Sequence, residues 1–98
     1  MPVLSGNTAT NVTGTAYNIP TTIVGFTLAN KTGGGITVSI GILYGSTIYF
    51  LYTHPLAAAG AADSEYVYLG NEILVPANYQ IYISVSGSCD YYVTIKTE

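Results

Sequence analysis

The 98-residue chain has no tryptophan, one cysteine, one histidine and only two cations, Lys31 and Lys96. Each scarcity excludes something. Two lysines cannot line a groove with positive charge, so electrostatic binding to nucleic acid is excluded. A single Cys89 leaves no intramolecular disulfide. Gly, Thr, Ser and Asn interrupt every apolar run well short of the ~20 residues of a membrane helix, so no membrane partner is expected. The opening "MPVLSGNTAT" has neither a basic start nor an apolar core, and no secretory signal is expected from it. Charged residues are 7% of the chain against 49% hydrophobic, whereas an ordinary soluble domain has about 25% charged. So sparse a charge suggests that partners cover much of the surface.

What the chain does have is alternation. Nearly every segment is rich in Val, Ile, Thr and Tyr with period two, and Gly, Pro or Asn punctuates it at intervals typical of short strands. From Thr21 to Asn30, Val24, Phe26 and Leu28 fall on one face and Gly25, Thr27 and Ala29 on the other. "KTGGG" then turns the chain, its glycines free to take positive φ. Ile36, Val38, Ile40 and Ile42 alternate with Thr37, Ser39 and Gly41 in what reads as a central strand. After the turn "YGS", Thr47–Thr53 is apolar on both faces, Ile48, Phe50 and Tyr52 opposing Tyr49 and Leu51; both sides of such a strand need cover.

"HPLAAAGAADSE" reads as an irregular loop, because Pro55 and Gly60 oppose a helix. Tyr66–Leu69 and Ile73–Val75 are short strands around "GNE". "PAN" is a tight turn in which Asn78 suits the left-handed conformation. Tyr79, Ile81, Ile83 and Val85 then share a face. Gly87-Ser88 has the form of a two-residue type II′ hairpin, leading to a strand with Cys89, Tyr91, Val93 and Ile95 inward and Asp90, Tyr92 and Thr94 outward. The segment 1–20 alternates weakly and supplies one or two edge strands. The expectation is a single all-β domain over residues 1–98, a two-sheet β-sandwich or jelly roll of about eight short antiparallel strands.

Groups with chemical potential are few. Cys89 with His54 is the one cysteine–histidine combination, but a reactive thiol needs an electropositive, partly exposed setting. Nothing electropositive is near in sequence, and the register buries Cys89 as a small apolar side chain. Asp63 and Glu65 share a face if extended, with Glu72 near, yet a Ca²⁺ site needs further oxygens in a tight loop. "GGG" lacks the Lys and Ser/Thr of a phosphate cradle and precedes a strand. Asn11-Val12-Thr13 and Asn30-Lys31-Thr32 match the glycosylation pattern and read as polar residues flanking turns. No catalytic residue, metal ligand or cofactor is expected, and the chain does not read as an enzyme.

The ten tyrosines are the most informative feature. Tyr49, Tyr82 and Tyr92 lie opposite the most apolar faces and are expected to project outward, where a large ring with a hydrogen-bonding tip suits an interface. With Leu51 they form the expected contact set, Tyr82 and Tyr92 being cross-strand neighbours. Stabilising cross-strand aromatic pairs are the alternative reading.

The strings "IVGFTLANKTGGGITVSIGI", "PLAAAG" and "ILVPANYQIYISVSGSCDYYVTI" resemble small virion proteins of tailed bacteriophages, in which strands of this cadence build a β-sandwich or jelly roll on the head, neck or tail. Asn78 stands where that family has Gly. The resemblance covers Ile23 to Ile95 and brings no catalytic residues. It implies a capsid decoration or cement protein on the virion, partnered by the major capsid protein or other virion proteins and assembled as a homo-oligomer, a trimer by preference. Two alternatives stand beside it: a neck or tail adaptor or fibre-attachment protein, and a carbohydrate-binding module using exposed tyrosines as stacking platforms.

Overall fold

Period-two alternation with β-branched residues gives strands and no helix among the described residues, 3–68 and 72–97 of a computed structural model. In chain order the strands are β1 (Val3–Thr8), β2 (Asn11–Thr13), β3 (Thr21–Asn30), β4 (Ile36–Tyr44), β5 (Thr47–Leu56), β6 (Glu65–Tyr68), β7 (Ile73–Val75), β8 (Gln80–Val85) and β9 (Cys89–Thr97). They form two antiparallel sheets. One has the order β1-β9-β3-β6 with β7 also on β3, and the other β2-β8-β4-β5. Leu69 and the Gly70-Asn71 part of the expected turn lie outside the described residues. β1 and β2 take the edges, as the weak alternation of the first twenty residues suggests.

The inner faces meet in one core. Ile23, Phe26 and Leu28 of β3 and Val93 and Ile95 of β9 belong to the same buried cluster as Val38 and Ile40 of β4 and Ile81 and Ile83 of β8. Each fully buried Val, Ile, Leu or Phe contributes about 1.5–3 kcal/mol. Tyr91 is buried because its β1 partner is Gly6, where a Cβ would stand 3.1 Å from the tyrosine oxygen.

Five local expectations are corrected. Gly87-Ser88 is not a hairpin: β8 and β9 belong to different sheets, and the dipeptide carries the chain across the sandwich. Gly87 does not take positive φ. It is glycine because a Cβ there would lie 2.7 Å from Cγ2 of Ile36. The two-residue hairpin is instead Gly45-Ser46 between β4 and β5, with Gly45 at φ 63°, as a primed turn requires at its first central position.

β3 and β5 each carry a bulge. In β3 the register slips between Ile23 and Gly25, so Ile23 rather than Val24 joins Phe26 and Leu28 in the core. In β5, Ile40 pairs with Tyr52 but Gly41 with Phe50, leaving Leu51 as the extra residue. Tyr52 therefore faces inward while Phe50 and Ile48 face outward, and the expected grouping of the three on one face does not hold.

The glycines of "KTGGG" do not take positive φ either; a buried asparagine shapes that turn. Nδ2 of Asn30 donates to the carbonyls of Gly34 at 2.9 Å and Ala57 at 2.7 Å, while its Oδ1 accepts from the Thr32 amide at 2.8 Å. The turn after β3 and the segment after β5 are thereby tied to one side chain, whose commitment also argues against a glycosylation role. The expected loop from His54 is shorter, since β5 runs on to a buried Leu56. Pro55 is tolerated because β5 is an edge strand. Asn78 is left-handed at φ 71°, as expected.

Candidate functional site

Cys89, the first residue of β9, is fully buried. Its thiol donates to the carbonyl of Asp90 at 3.2 Å. Burial pushes its pKa up, the Asp90 charge adds to the rise and a hydrogen bond with the Ala29 backbone opposes it. A thiol kept protonated and away from solvent is no nucleophile. Asp90 acts as a bracket: it accepts from Nδ2 of Asn7 in β1 at 2.7 Å and pairs with Lys31 at 3.5 Å. Both partners are surface groups, so the ion pair adds little to stability.

His54 belongs to a different arrangement. The edge strands β5 and β6 approach one another along one flank of the sandwich, and an aromatic seam closes the gap. Phe26 stacks on Tyr68 at 4.7 Å between centroids, and the Tyr52 ring meets Phe26 edge-on at 5.8 Å. The His54 ring lies 3.9 Å from that of Tyr66. The hydroxyls of Tyr52 and Tyr66 are 2.6 Å apart, joining the two sheets by a hydrogen bond. That bond comes first in raising the pKa of Tyr52 above its ordinary value, with desolvation and the neighbouring phenols adding to it.

An open cleft of about 620 Å³ lies beside the seam, lined by His54, Leu56, Asp63, Glu65 and Tyr66 among others. Asp63 sits in the loop before β6 and Glu65 opens that strand, so the two acids do not share a strand face. Both are exposed. No group of three or more metal-ligating side chains occurs among the described residues. The His54 ring is stacked on Tyr66, whose hydroxyl is hydrogen-bonded to that of Tyr52.

The four expected contact residues are distributed over the molecule. Tyr82 faces outward from β8 and Tyr92 outward from β9, but these strands lie in opposite sheets. They are not cross-strand neighbours; the partners of Tyr92 are Ser5 and Thr27, and those of Tyr82 are Thr13 and Gly41. The bulge turns Tyr49 to the side of Ile42, where its ring lies 6.4 Å from that of Tyr79. Leu51 is the bulged residue itself and is exposed.

The ring that accompanies Tyr82 is Phe50, at 6.2 Å across Gly41. Sequence alternation alone put Phe50 on the wrong face. Its signal was Gly41, since a glycine inside an otherwise regular strand marks a bulge or a close backbone approach.

The two sheets differ sharply in charge. Residues 11–13, 36–44, 47–56 and 80–85, the four strands of the β2-β8-β4-β5 sheet, include no Asp, Glu, Lys or Arg. Asp90, Lys96 and Glu65 lie in the other sheet, on β9 and β6, with Lys31 directly after β3. On the uncharged sheet, register places Thr13, Tyr82, Gly41 and Phe50 in one outward row and Gln80, Leu43 and Ile48 in the next. Phe50 is 54% exposed and Ile48 38%. On the charged sheet, Tyr92, Val67 and Leu74 are exposed on the outer side. Compared with protein-family models, curated proteins and solved structures, the chain matches none.

Proposed function

We propose that the protein is a non-enzymatic structural component of a phage virion, a capsid decoration or cement protein that works through its two outer faces. The observation that supports this reading is the presence of large exposed apolar side chains on both sides of the sandwich, Phe50 and Ile48 on one and Tyr92, Val67 and Leu74 on the other. Isolated exposed apolar residues are ordinary, but adhesive surfaces on opposite sides let one subunit hold two neighbours at once. A cement protein has this requirement. It gains shell stability by adding contacts made only in the assembled state. In this proposal the subunits form a homo-oligomer and the partner is the major capsid protein.

The test is co-sedimentation of the purified protein with expanded shells. Retention of the wild type, lost when Tyr92 and Val67 are replaced by serine, supports the proposal; no retention on head, neck or tail particles sinks it. The groove formed by Val24, Gly25, Thr27, Tyr92 and Thr94 favours one second reading, a neutral sugar stacked on Tyr92 between threonine hydroxyls. Specific glycan retention abolished by Tyr92→Ala would select it over the cement role.

A further inference from the structure

We infer that two copies of this chain associate face to face through the outer surface of the uncharged β2-β8-β4-β5 sheet, with Phe50 and Tyr82 at the centre of the contact. The inference takes from the proposed function only the idea that this surface is an interface; it does not require a virion.

The argument begins with charge. The chain carries a net charge of −3, so copies repel one another weakly, and the repulsion depends on which faces meet. Sheets pack about 10 Å apart. Stacking the charged sheets would take Asp90, Glu65 and Lys96 of both copies out of water, at a desolvation cost that their mixed signs offset only if the pairs align. Stacking the uncharged sheets puts the charged ones on the far sides of a four-layer assembly, about 30 Å apart and well screened. The face brought into contact has no ionised group to desolvate, so none of the cost of burying a charge arises.

Side-chain arrangement favours the same face. Gly41 lacks a side chain, and the Phe50 and Tyr82 rings flank it, 6.2 Å apart. With Ile48 and the half-buried Leu43 they make an apolar centre. Thr13 ends the row of Tyr82, Gly41 and Phe50, and Asn11, Ser84, Ser39 and Thr53 form a row of short polar groups along one side of it, Ser39 and Thr53 already hydrogen-bonded at 3.1 Å. An apolar patch bordered by short uncharged polar groups has the composition of an interface core, from which charge is depleted.

The size is adequate. Three long strands and one short one, about 4.8 Å apart with about 3.4 Å per residue, give a face of roughly 500 Å² per copy. Two faces bury about 1,000 Å², at the threshold of a specific interface.

Edge pairing through β5 is the competing geometry, and the bulge at Leu51 argues against it. A bulge twists an edge away from strand addition and is one of the ways edges are protected. Because the same surface meets itself, the contact is isologous and closes at two copies. It therefore yields a dimer where the family resemblance implies a trimer.

The test is sedimentation equilibrium of the full chain over a concentration series, with Phe50→Glu, Tyr82→Glu and Tyr92→Glu as variants. All three replace surface rings, and circular dichroism reports whether each remains folded. The expected result is a wild-type dimer whose dissociation constant rises at least 100-fold in Phe50→Glu and Tyr82→Glu and stays within threefold in Tyr92→Glu. Added salt leaves the dimer intact or tightens it. A wild type that is monomeric throughout, a trimer, or dissociation by Tyr92→Glu with retention in folded Phe50→Glu overturns the inference. A dimer that ignores phage shells removes the proposed function and leaves this inference standing.

Discussion

Gly41 lies directly beneath the β5 bulge: a methyl group there would strike the carbonyl oxygen of Tyr49 and stand 2.9 Å from the Cα of Phe50. The obstructing atoms are backbone, which cannot rotate away. Gly41→Ala is therefore expected to destabilise the domain by about 2–3 kcal/mol in urea unfolding, as overpacking of a tight site does. Gly33→Ala is the control, since its Cβ would meet nothing within 4 Å, and it should stay within about 0.5 kcal/mol.

Asn30 has three backbone partners within 2.9 Å and is 3% exposed. Replacing it by alanine leaves the Ala57 carbonyl without its donor and the Thr32 amide without its acceptor, while the Gly34 carbonyl keeps the Thr32 hydroxyl. A loss of about 2–4 kcal/mol is expected from the unsatisfied groups. Asn30→Asp should be at least as damaging, because it sets a carboxylate against two carbonyl oxygens. Hydrogen exchange near Thr32 and Ala57 should rise together in both variants.

Asn78, at φ 71°, separates backbone cost from packing cost. Asn78→Gly should leave stability within about 0.5 kcal/mol, and Asn78→Val should reduce it by about 1–2 kcal/mol, since β-branched residues resist the left-handed region. Thermal unfolding of the pair measures the difference.

The pH dependence follows from two raised pKa values. Folding holds the protons of Cys89 and Tyr52 more tightly than the unfolded chain does, from ordinary values of 9.0 and 10.0. Their stabilising contributions are thus complete below those values and fall away as pH rises through the higher folded values. Stability should be lost progressively above about pH 9. Cys89→Ala should flatten the first part of that decline and Tyr52→Phe the later part. At neutral pH the native thiol should resist a disulfide reagent and react only at the rate of unfolding.

Strand positions were legible because burial on one face enforces strict alternation, as at Ile36–Ile42 and Cys89–Ile95. Bulges were not, because one inserted residue at Val24 or Leu51 leaves the composition unchanged while reversing every face beyond it. Sheet membership was invisible for a different reason. Gly45-Ser46 and Gly87-Ser88 are the same dipeptide, yet the first closes a hairpin and the second crosses between sheets, a choice made by distant neighbours such as Ile36. The contact residues suffered from both effects: Tyr82 and Tyr92 were correctly placed facing outward, but their supposed adjacency assumed the hairpin. Phe50 was hidden by the bulge.

The strand orders β1-β9-β3 and β2-β8-β4 mean that in each sheet a strand made late in synthesis is inserted between two made early. While the chain is growing on a ribosome, β1 and β3 have no hydrogen-bonding partner between them until β9 emerges, and β2 and β4 wait likewise for β8. Such non-local pairing slows folding and prolongs the exposure of unpaired edges. The uncharged segments Ile36–Tyr44 and Thr47–Thr53 are then the most aggregation-prone parts of the nascent chain, and soluble yield should depend more on chaperone supply and translation rate than on the stability of the finished domain.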